Sequence, residues 1–394
     1  MKNECVAILD IRSYEVTFFL GSKGVNDTFV FYGSHTQKYE GFSTQGFYDE
    51  ESFRRAVVAA ITSVRQNYEG IIGEIYVGVP SAFIQVQTKG HTVSFPSKRK
   101  ISSQDISLLF DSGLNELLVQ KRCIRHSNMY YTLGDNHKYY TDSDLFGVPT
   151  TLLQGALCYY LVDDTFYNVT NSVLNDLGFN EVHLLPTSLA QCLYLLPPKR
   201  REGYAFLLDV GFLTSSFAVV YGNGIVREET IDSGLGSILV SLMQQLDVSY
   251  ETAEEILATA NVSGGNIPRD LIWTSENGEL SFPVYKINDT IKCALDVLCE
   301  HIERFFDTYY KEKAMAAFAV NPIDVTGEGI FGVAGATEHI AKRLNRLTEV
   351  AFPDLPYYDK PTYSSRMSLL SMALSDSEKK SWWHKLFKKN GGRK

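Results

Sequence analysis

The stretch YAFLLDVGFLTSSFAVVYGNGIV, residues 204–226, predicts two apolar strands joined by a short turn. Residues 205–210 are almost wholly apolar, as in a strand that is buried on both faces. Asp209 lies near the end of this strand, and residues 211–214 form the turn before the chain runs back. Such a turn can offer backbone N–H groups to a phosphate, and the carboxylate can hold the water ligands of a metal ion. Taken alone, the pattern also fits an ordinary hairpin with a polar tip.

A second copy of this pattern lies at the N-terminus. Residues 6–10 (VAILD) predict an apolar strand that ends in Asp10, and residues 16–20 predict the strand that returns after a short turn. Asp10 and Asp209 are 199 residues apart. Two strand–Asp–turn–strand units at this separation predict a duplicated α/β fold.

Length and composition bound the class of protein. With 394 residues, the chain is too long for one compact core and is expected to form two or more domains. Its balance of 44% hydrophobic and 21% charged residues indicates a folded, soluble protein. No apolar run reaches the roughly 18 residues that predict a membrane-spanning helix, and the first strand leaves no room for a signal peptide. Six scattered cysteines without a C-x-x-C pair fit free thiols in a cytoplasmic protein.

The net charge of −9 is unevenly distributed along the chain. From residue 379 onward there are seven Lys or Arg and no acid, so 30 basic and 46 acidic residues remain in the body, which carries −16. An acidic body argues against nucleic-acid binding. The basic tail therefore needs a role of its own.

Residues 81–160 interrupt the duplicated pattern. Alternating strands and a helix in this segment predict a small α+β insert. His126 and His137 flank a Tyr-rich stretch within it, but no third residue is spaced as a metal ligand, so we interpret both histidines as structural. Amphipathic helices are predicted over residues 50–68 and 288–311.

The order of these segments resembles the superfamily of actin, heat-shock chaperone and sugar-kinase ATPases, and within it the FtsA family of bacterial actin homologues. The insert follows VGVP, where the FtsA family carries its subdomain 1C, of the SHS2 type. Further matches include the first phosphate loop (VAILDIRSYEV, 6–16), the second (LLDVGFLTSSFAVV, 207–220), the segment after it (SGLGSILVSLMQQL, 233–246) and the adenosine loop (GIFGVAGATEHI, 329–340).

The resemblance implies an α/β protein with a duplicated actin-like (ribonuclease-H-like) fold, a small α+β insert and a C-terminal amphipathic helix. The implied boundaries are 1–80 and 161–200 for subdomain 1A, 81–160 for 1C, 201–245 and 301–365 for 2A, 246–300 for 2B, and 366–394 for a linker and a membrane-targeting tail.

The resemblance also implies a cleft that holds ATP and Mg²⁺. No catalytic residue and no protein-ligated metal site are assigned by it. The residues that match the nucleotide-binding positions are Asp10, Ser13, Asp209, Gly211, Thr214, Gly234 and Gly335.

Several residues depart from the family pattern in this cleft. Arg12 replaces a glycine of the first loop, and Phe212 and Leu213 replace two glycines of the second. Val333 and Ala334 stand where two further glycines are usual in the adenosine loop. Glycines let a backbone approach a phosphate closely, and phosphoryl transfer depends on positioning and electrostatic stabilisation. We therefore predict a degenerate cleft that binds ATP weakly or without hydrolysis, in a protein that is not an enzyme.

The C-terminus predicts an amphipathic helix that lies on an anionic membrane surface. At 100° per residue, one face carries Trp382, Trp383, Leu386 and Phe387. The opposite face and both edges carry Lys380, Lys385, Lys388 and Lys389. The apolar face is too short to span a bilayer. The alternative is a tail that packs back on its own domain.

The function that the resemblance implies is that of an FtsA-like cell-division scaffold, which tethers a ring of the tubulin homologue FtsZ to the cytoplasmic face of the membrane at the division site. The implied partners are FtsZ, other division proteins, the anionic membrane surface and further copies of the chain, with no nucleic acid. Two alternatives remain: a PilM-like pilus-assembly actin homologue, and an active ATPase or phosphotransferase of the same fold. The cationic, Trp-rich tail favours the division protein.

Overall fold

The computed structural model describes residues 5–26, 28–115, 121–135, 137–263, 267–309 and 321–390, with the backbone alone over residues 379–390. Its strands are β1 (Val6–Ile11), β2 (Glu15–Lys23), β3 (Phe29–Lys38), β4 (Phe42–Ser43), β5 (Gly46–Phe47), β6 (Glu74–Val79), β7 (Ile84–Lys100), β8 (Arg122–Thr132), β9 (Pro149–Val162), β10 (Glu181–Pro186), β11 (Tyr204–Val210), β12 (Ser215–Tyr221), β13 (Gly224–Ile231), β14 (Ile272–Thr274), β15 (Ser281–Pro283), β16 (Ile323–Thr326) and β17 (Thr348–Val350). Its helices are α1 (Glu50–Arg65), α2 (Ser103–Asn115), α3 (Asp142–Leu145), α4 (Asp164–Asp176), α5 (Thr187–Leu195), α6 (Pro198–Arg201), α7 (Leu235–Leu246), α8 (Tyr250–Thr259), α9 (Val284–Tyr309), α10 (Glu328–Phe331), α11 (Ala336–Leu344) and α12 (Ser364–Asn390).

Two five-stranded sheets with the same topology confirm the predicted duplication. The first has the order β10-β6-β1-β2-β3, and the second, read from its corresponding edge, has the order β17-β16-β11-β12-β13. In both sheets the first three strands are parallel and the last two pairs are antiparallel. Asp10 pairs with Thr17 across the first hairpin, and Asp209 pairs with Ser216 across the second. The two carboxylates therefore occupy equivalent positions.

The strands that carry these carboxylates are buried on both faces. Every residue of β1 is buried, and so is every residue of β11 after Tyr204. Helices cover the sheets, as a continuous apolar strand requires. In the first half α1 buries Phe53, Val57 and Ile61 against the sheet, and in the second half α9 buries one face along its length.

A third layer of the core joins the two halves. Helices α5 and α12 supply apolar side chains that meet residues from both sheets in one cluster. Leu369 and Leu370 of α12 are fully buried, and they lie so close to Gly78 and Gly21 that any side chain at these glycines would collide with them. The close approach of helix to sheet explains why glycine occupies both strand positions.

The C-terminal segment differs from the prediction in its first part. Residues 366–378 belong to the segment 366–394, which the resemblance predicts to begin as a linker. They instead form the first half of helix α12, which is continuous to Asn390 and largely buried up to Ser377. The run Met367 to Leu374 is apolar enough to be drawn into the core between the sheets, which a solvated linker would not be.

The insert forms a three-stranded antiparallel sheet in the order β7-β9-β8, with α2 on one face. Its strands also contact the second half. Ile225 donates its N–H to the hydroxyl of buried Tyr160 at 3.0 Å, and Gly222 approaches the carbonyl of Met129 so closely that no side chain fits. The insert is thus built into the same core that joins the two halves. Among the described residues, no helix has the length and apolar character that crossing a bilayer requires.

Candidate functional site

The candidate site lies where the two equivalent hairpins face each other. Residues 12–14 turn between β1 and β2, and residues 211–214 turn between β11 and β12. Asp10 and Asp209 precede these turns, because each is the last residue but one of a buried strand and lies at the same edge of its sheet. The structure therefore brings together predicted site residues that are about 200 positions apart in the chain.

The centre of the site is an ion pair between the halves. Arg12 Nη1 donates to Asp209 Oδ2 at 2.6 Å, and Arg12 Nη2 donates to Asp209 Oδ1 at 2.9 Å. The side chain of Arg12 is 15% exposed and that of Asp209 is 5% exposed. Burial by itself would lower the pKa of Arg12, but the charge and hydrogen bonds of Asp209 outweigh it and raise that pKa. Gln191 of α5 donates a third hydrogen bond to Asp209, at 3.0 Å.

Asp10 is held by the start of helix α12. Ser365 Oγ donates to Asp10 Oδ2 at 2.6 Å, and Arg366 lies 4.0 Å from the same oxygen while it donates to Glu15 at 2.7 Å. Asp10 Oδ1 is buried without a hydrogen-bond partner among the described residues. Burial raises the pKa of Asp10, and the charges of Arg12 and Arg366 act against that rise.

The tips of the two hairpins contact each other directly. The rings of Tyr14 and Phe212 stack with their centroids 4.1 Å apart. The backbone N–H of Leu213 donates to Ser13 Oγ at 3.1 Å, and the N–H of Gly211 donates to the carbonyl of Thr214, also at 3.1 Å. A phosphate-binding turn would direct such N–H groups at its ligand. Here they donate to acceptors of the protein itself.

The first N–H groups of α7 also form hydrogen bonds within the protein. The N–H groups of Leu235 and Gly236 donate to the carbonyls of Gly211 and Phe212 at 2.9 and 2.8 Å. A side chain at Gly234 would collide with the same two carbonyls. Gly234 thus serves the contact between α7 and the second turn, and the helix N-terminus that could hold an anion is capped by the turn itself.

Gly335 lies apart from the ion pair, at the start of α11. Its φ of +81° favours glycine, and a side chain there would collide with the backbone of Ser263. The N–H of Val262 donates to the carbonyl of Ala334 at 2.8 Å, and Val333 is buried in the core of the second half. Gly335 therefore closes the loop onto residues 261–263, and this contact accounts for its presence.

Sequence reasoning missed Glu328, Gln191, Ser365 and Arg366. Burial raises the pKa of Glu328 from 4.5 to about 7, although the nearby Arg12 acts in the opposite direction. Glu328 follows Gly327, whose φ is +100° and which touches Asp209 and Val210 too closely for a side chain. A Gly–Glu pair directly after the buried strand β16 was the available signal for Glu328. The other three lie on helices and carry no local signature.

A polar cavity lies beside the ion pair. It is a small cavity of about 30 Å³ that is partly open to solvent. Hydroxyl groups predominate in its lining, which includes Ser13, Ser81, Thr187, Ser188, Thr214, Ser215 and Ser216. Thr187 Oγ1 is buried without a hydrogen-bond partner among the described residues. The cavity is bounded by the hairpins and the first turn of α5 rather than lying between the hairpin tips.

These residues do not fit a metal–triphosphate between the hairpins. Asp209, the carboxylate that would orient a metal's water ligands, is neutralised by Arg12. Phe212 and Tyr14 fill the gap between the hairpin tips, and the N–H of Leu213 is directed at Ser13. A nucleotide could enter only if these contacts were broken.

The predicted membrane-binding side chains, Lys380, Trp382, Trp383, Lys385, Leu386, Phe387, Lys388 and Lys389, lie outside the described residues, although the backbone is helical at these positions. His126 and His137 are described. His126 stacks on Phe110 with centroids 4.1 Å apart, and burial lowers its pKa. His137 packs edge-on against Tyr139. Both contacts fit the structural role that the sequence indicated.

No family model matches the chain, and no curated protein matches it. Solved structures do. A PilM–PilN type IV pilus biogenesis complex matches with a TM-score of 0.62 at 10% identity, over 94% of this chain and 98% of the other. MreB5 of Spiroplasma citri bound to AMPPNP matches with a TM-score of 0.55 at 9% identity, over 96% and 99% of the two chains. The ethanolamine utilization protein EutJ from Carboxydothermus hydrogenoformans matches with a TM-score of 0.53 at 9% identity, over 94% and 90%. The chain has the duplicated actin-like fold, and at these identities the similarity shows the fold alone.

Proposed function

We propose that this chain is an FtsA-like actin homologue that acts as a scaffold at a membrane surface and does not hydrolyse ATP. The observation that carries the proposal is the direct contact between the two hairpins. Arg12 binds Asp209 across the cleft, and Tyr14 stacks on Phe212 at the hairpin tips. A cleft closed by side chains of the protein leaves the actin-like fold intact while it removes the space and the donors that phosphoryl transfer needs.

The altered loops on a retained fold support a role in binding rather than in catalysis. The actin-like fold is retained over nearly the whole chain, and all the loops that match the family motifs are present in order. Phosphoryl transfer needs the close approach of backbone to phosphate that glycine permits, whereas a scaffold needs only its binding surfaces and its closed shape. The FtsA resemblance supplies the proposed partners: an FtsZ-like tubulin homologue, other division proteins and further copies of this chain.

The tail supports a membrane location. Seven Lys or Arg and no acid lie from residue 379 onward, and Trp382, Trp383, Leu386 and Phe387 share one face of the helix that the sequence predicts. Helix α12 is continuous from the cleft to Asn390, so the anchor and the core share one element. We place the protein at the cytoplasmic face of the membrane, at the division site.

The chemical part of the proposal is tested with purified protein and Mg-ATP. We expect no ATP hydrolysis above the rate of an Asp209→Ala variant. We also expect no rise in melting temperature at millimolar Mg-ATP, because a ligand stabilises a protein only when it binds the folded state. MreB5 of Spiroplasma citri, which was solved with AMPPNP and with ADP, is the matched positive control for the fold. Robust turnover that disappears in Asp209→Ala would show that the cleft is a working ATPase site.

The partner is tested by co-sedimentation with polymers of the FtsZ homologue from the same organism. We expect recruitment of the chain without any nucleotide. A second candidate function is PilM-like pilus assembly, which is favoured by the TM-score of 0.62 against the PilM–PilN complex, compared with 0.55 and 0.53 for MreB5 and EutJ. Capture of a PilN-type partner, with no recruitment to FtsZ polymers, would favour this second function.

A further inference from the structure

Two neighbouring strands of the first sheet place a histidine and two glutamates on one face. In the parallel pair of β6 and β10, Glu74 pairs with Glu181, and Tyr76 pairs with His183. Alternate residues of a strand point to the same face, so these four side chains form a block of two by two. The register therefore brings His183 into contact with Glu74, which is 109 positions away in the chain.

The ligand atoms of the histidine and the two glutamates have the spacing that one metal ion requires. His183 Nε2 lies 3.1 Å from Glu74 Oε2 and 3.5 Å from Glu181 Oε2, and the three side chains offer atoms that all lie within 4.8 Å of one another. In a tetrahedral zinc site, bonds of about 2.0 to 2.2 Å set neighbouring ligand atoms roughly 3.3 to 3.6 Å apart. Small side-chain rotations would thus let one zinc ion bind all three residues.

The backbone and the ring packing hold this arrangement in place. The N–H groups of Asn180 and Glu181 both donate to the carbonyl of Gly73, at 3.0 and 3.4 Å, which ties the start of β10 to the start of β6. The imidazole of His183 packs against the ring of buried Tyr76, with centroids 4.8 Å apart. Ligands that project from strands are positioned more precisely than ligands on loops.

The electrostatics of this block favour a divalent cation. Glu74 and Glu181 are direct cross-strand neighbours, and like charges in that position repel each other. A dication bound by two carboxylates and a neutral imidazole leaves no net charge. All three side chains are at least one-quarter exposed, so an ion can reach them from solvent. A proton on His183 is the alternative source of positive charge between the two carboxylates.

We infer that Glu74, Glu181 and His183 form a surface zinc site that is separate from the cleft. Glu74 begins β6, whereas Asp10 of the cleft pairs with Gly78 near the other end of the same strand. The mixed nitrogen and oxygen ligands suit Zn²⁺, whereas Mg²⁺ and Ca²⁺ prefer oxygen ligands alone. The fourth position of the ion is left to water. This site goes beyond the proposed scaffold function and does not depend on it.

Calorimetric titration of the metal-free, full-length protein with ZnCl2 tests the site. We expect about one zinc ion to bind per chain at this place. Glu74→Gln, Glu181→Gln and His183→Gln should each weaken its binding by at least about tenfold, the smallest loss that follows when even an outer partner of a metal ligand is removed. An excess of MgCl2 should not displace the zinc ion, because Mg²⁺ prefers oxygen ligands.

A second measurement distinguishes this site from the free cysteines. Cys293 is exposed and could itself bind zinc through its thiolate. Co²⁺, which replaces Zn²⁺ in tetrahedral sites and absorbs visible light, should show tetrahedral bands without thiolate charge-transfer absorption. These bands should disappear in His183→Gln.

His339→Gln is the matched control. His339 Nε2 lies 2.8 Å from Asp296 Oδ1, so it also belongs to a histidine–carboxylate pair. The further charged group beside that carboxylate is the cation Arg343, at 3.7 Å, and no third ligand completes a metal-binding group there among the described residues. His339→Gln should therefore bind zinc with the affinity of the parent protein.

The inference is overturned if the parent protein binds no zinc at micromolar concentration, because His183 then only bridges the two glutamates as an ion pair. Equal zinc affinity of Glu181→Gln and the parent would overturn it as well, and so would Co²⁺ bands that carry thiolate absorption and persist in His183→Gln. Glu181 is 65% exposed, so Glu181→Gln decides the question even if the other two variants do not fold. None of these measurements uses ATP or a partner, so their failure would leave the scaffold function untouched.

Discussion

At the scale of single residues, the cleft is closed by contacts of three residues at positions where the FtsA resemblance implies glycine. Arg12 neutralises Asp209, Phe212 stacks on Tyr14, and Leu213 directs its N–H at Ser13. A glycine at position 12 or 212 would leave space for a ligand, whereas the hydrogen bond from residue 213 to Ser13 is made by the backbone and does not depend on the leucine side chain. The replacements act together, because each contact joins the first hairpin to the second.

The first prediction concerns the pH dependence of stability. The pKa of Glu328 is raised by burial from 4.5 to about 7, so between these values the folded protein holds a proton that the unfolded chain has released. Folding then takes up a proton, and the free energy of unfolding falls as pH rises through this window. We expect Glu328→Gln to show a smaller fall than the parent between about pH 4.5 and 7, measured by urea unfolding across that range.

In Glu328→Gln the free energy of unfolding should still fall somewhat with pH, because burial raises the pKa of Glu228 to about 7 as well. Glu338→Gln, on the exposed side of α11, is the control and should follow the parent. A parallel fall in the parent and in Glu328→Gln would show that Glu328 does not take up the proton.

At the scale of elements, helix α12 both contacts the cleft and packs in the core. The sequence predicts neither of these roles. Its first turn binds the acids of the cleft through Ser365 and Arg366. Its next three turns are packed between the sheets, and its backbone then continues to Asn390. The element that is expected to reach the membrane is therefore also a core element that touches the site.

The second prediction tests the core role of α12. Leu370 is fully buried against Gly21, so Leu370→Ala should lower the free energy of unfolding by about 2 to 5 kcal/mol. Leu347→Ala is the matched control, because Leu347 is 71% exposed, and it should change stability by less than about 0.5 kcal/mol. Chemical unfolding of both variants measures the difference, and equal values would mean that α12 does not contribute to the core.

At the scale of the whole molecule, the closed cleft, the built-in insert and helix α12 hold the two halves together at three places. The insert contributes Cys158 and Tyr160 to the layer that also contains the buried side chains of α5 and α12. Arg125 of the insert binds Asp376 of α12 at 2.6 Å, which connects the insert to the same helix. These contacts hold the two halves in one arrangement, as the proposed scaffold function requires.

The third prediction concerns membrane binding. Intact protein should co-sediment with anionic liposomes, because the basic tail is attracted to the surface and its aromatic residues enter the headgroup region. A chain that ends at Glu378 keeps the buried part of α12 and should remain in the supernatant, and so should Trp382→Glu/Phe387→Glu. Binding by the intact chain should weaken at high salt. Equal sedimentation of all three proteins would favour the alternative, in which the tail packs on its own domain.

The sequence by itself determined the duplication, and through the resemblance it predicts a degenerate cleft. Apolar strands that end in Asp10 and Asp209, followed by short turns, are local patterns, and the loss of glycine at residues 12, 212 and 213 can be read position by position. The tertiary structure decided what occupies the cleft. Arg12 and Asp209, which form an ion pair, are 197 positions apart, and Ser365 and Asp10, which share a hydrogen bond, are 355 positions apart. The pKa of Glu328 is raised by burial in a site that also contains Arg12 and Asp209, each more than 100 positions away. No local pattern encodes such contacts, since they arise only when packing of the two halves forces these charged groups out of water and into one another's field.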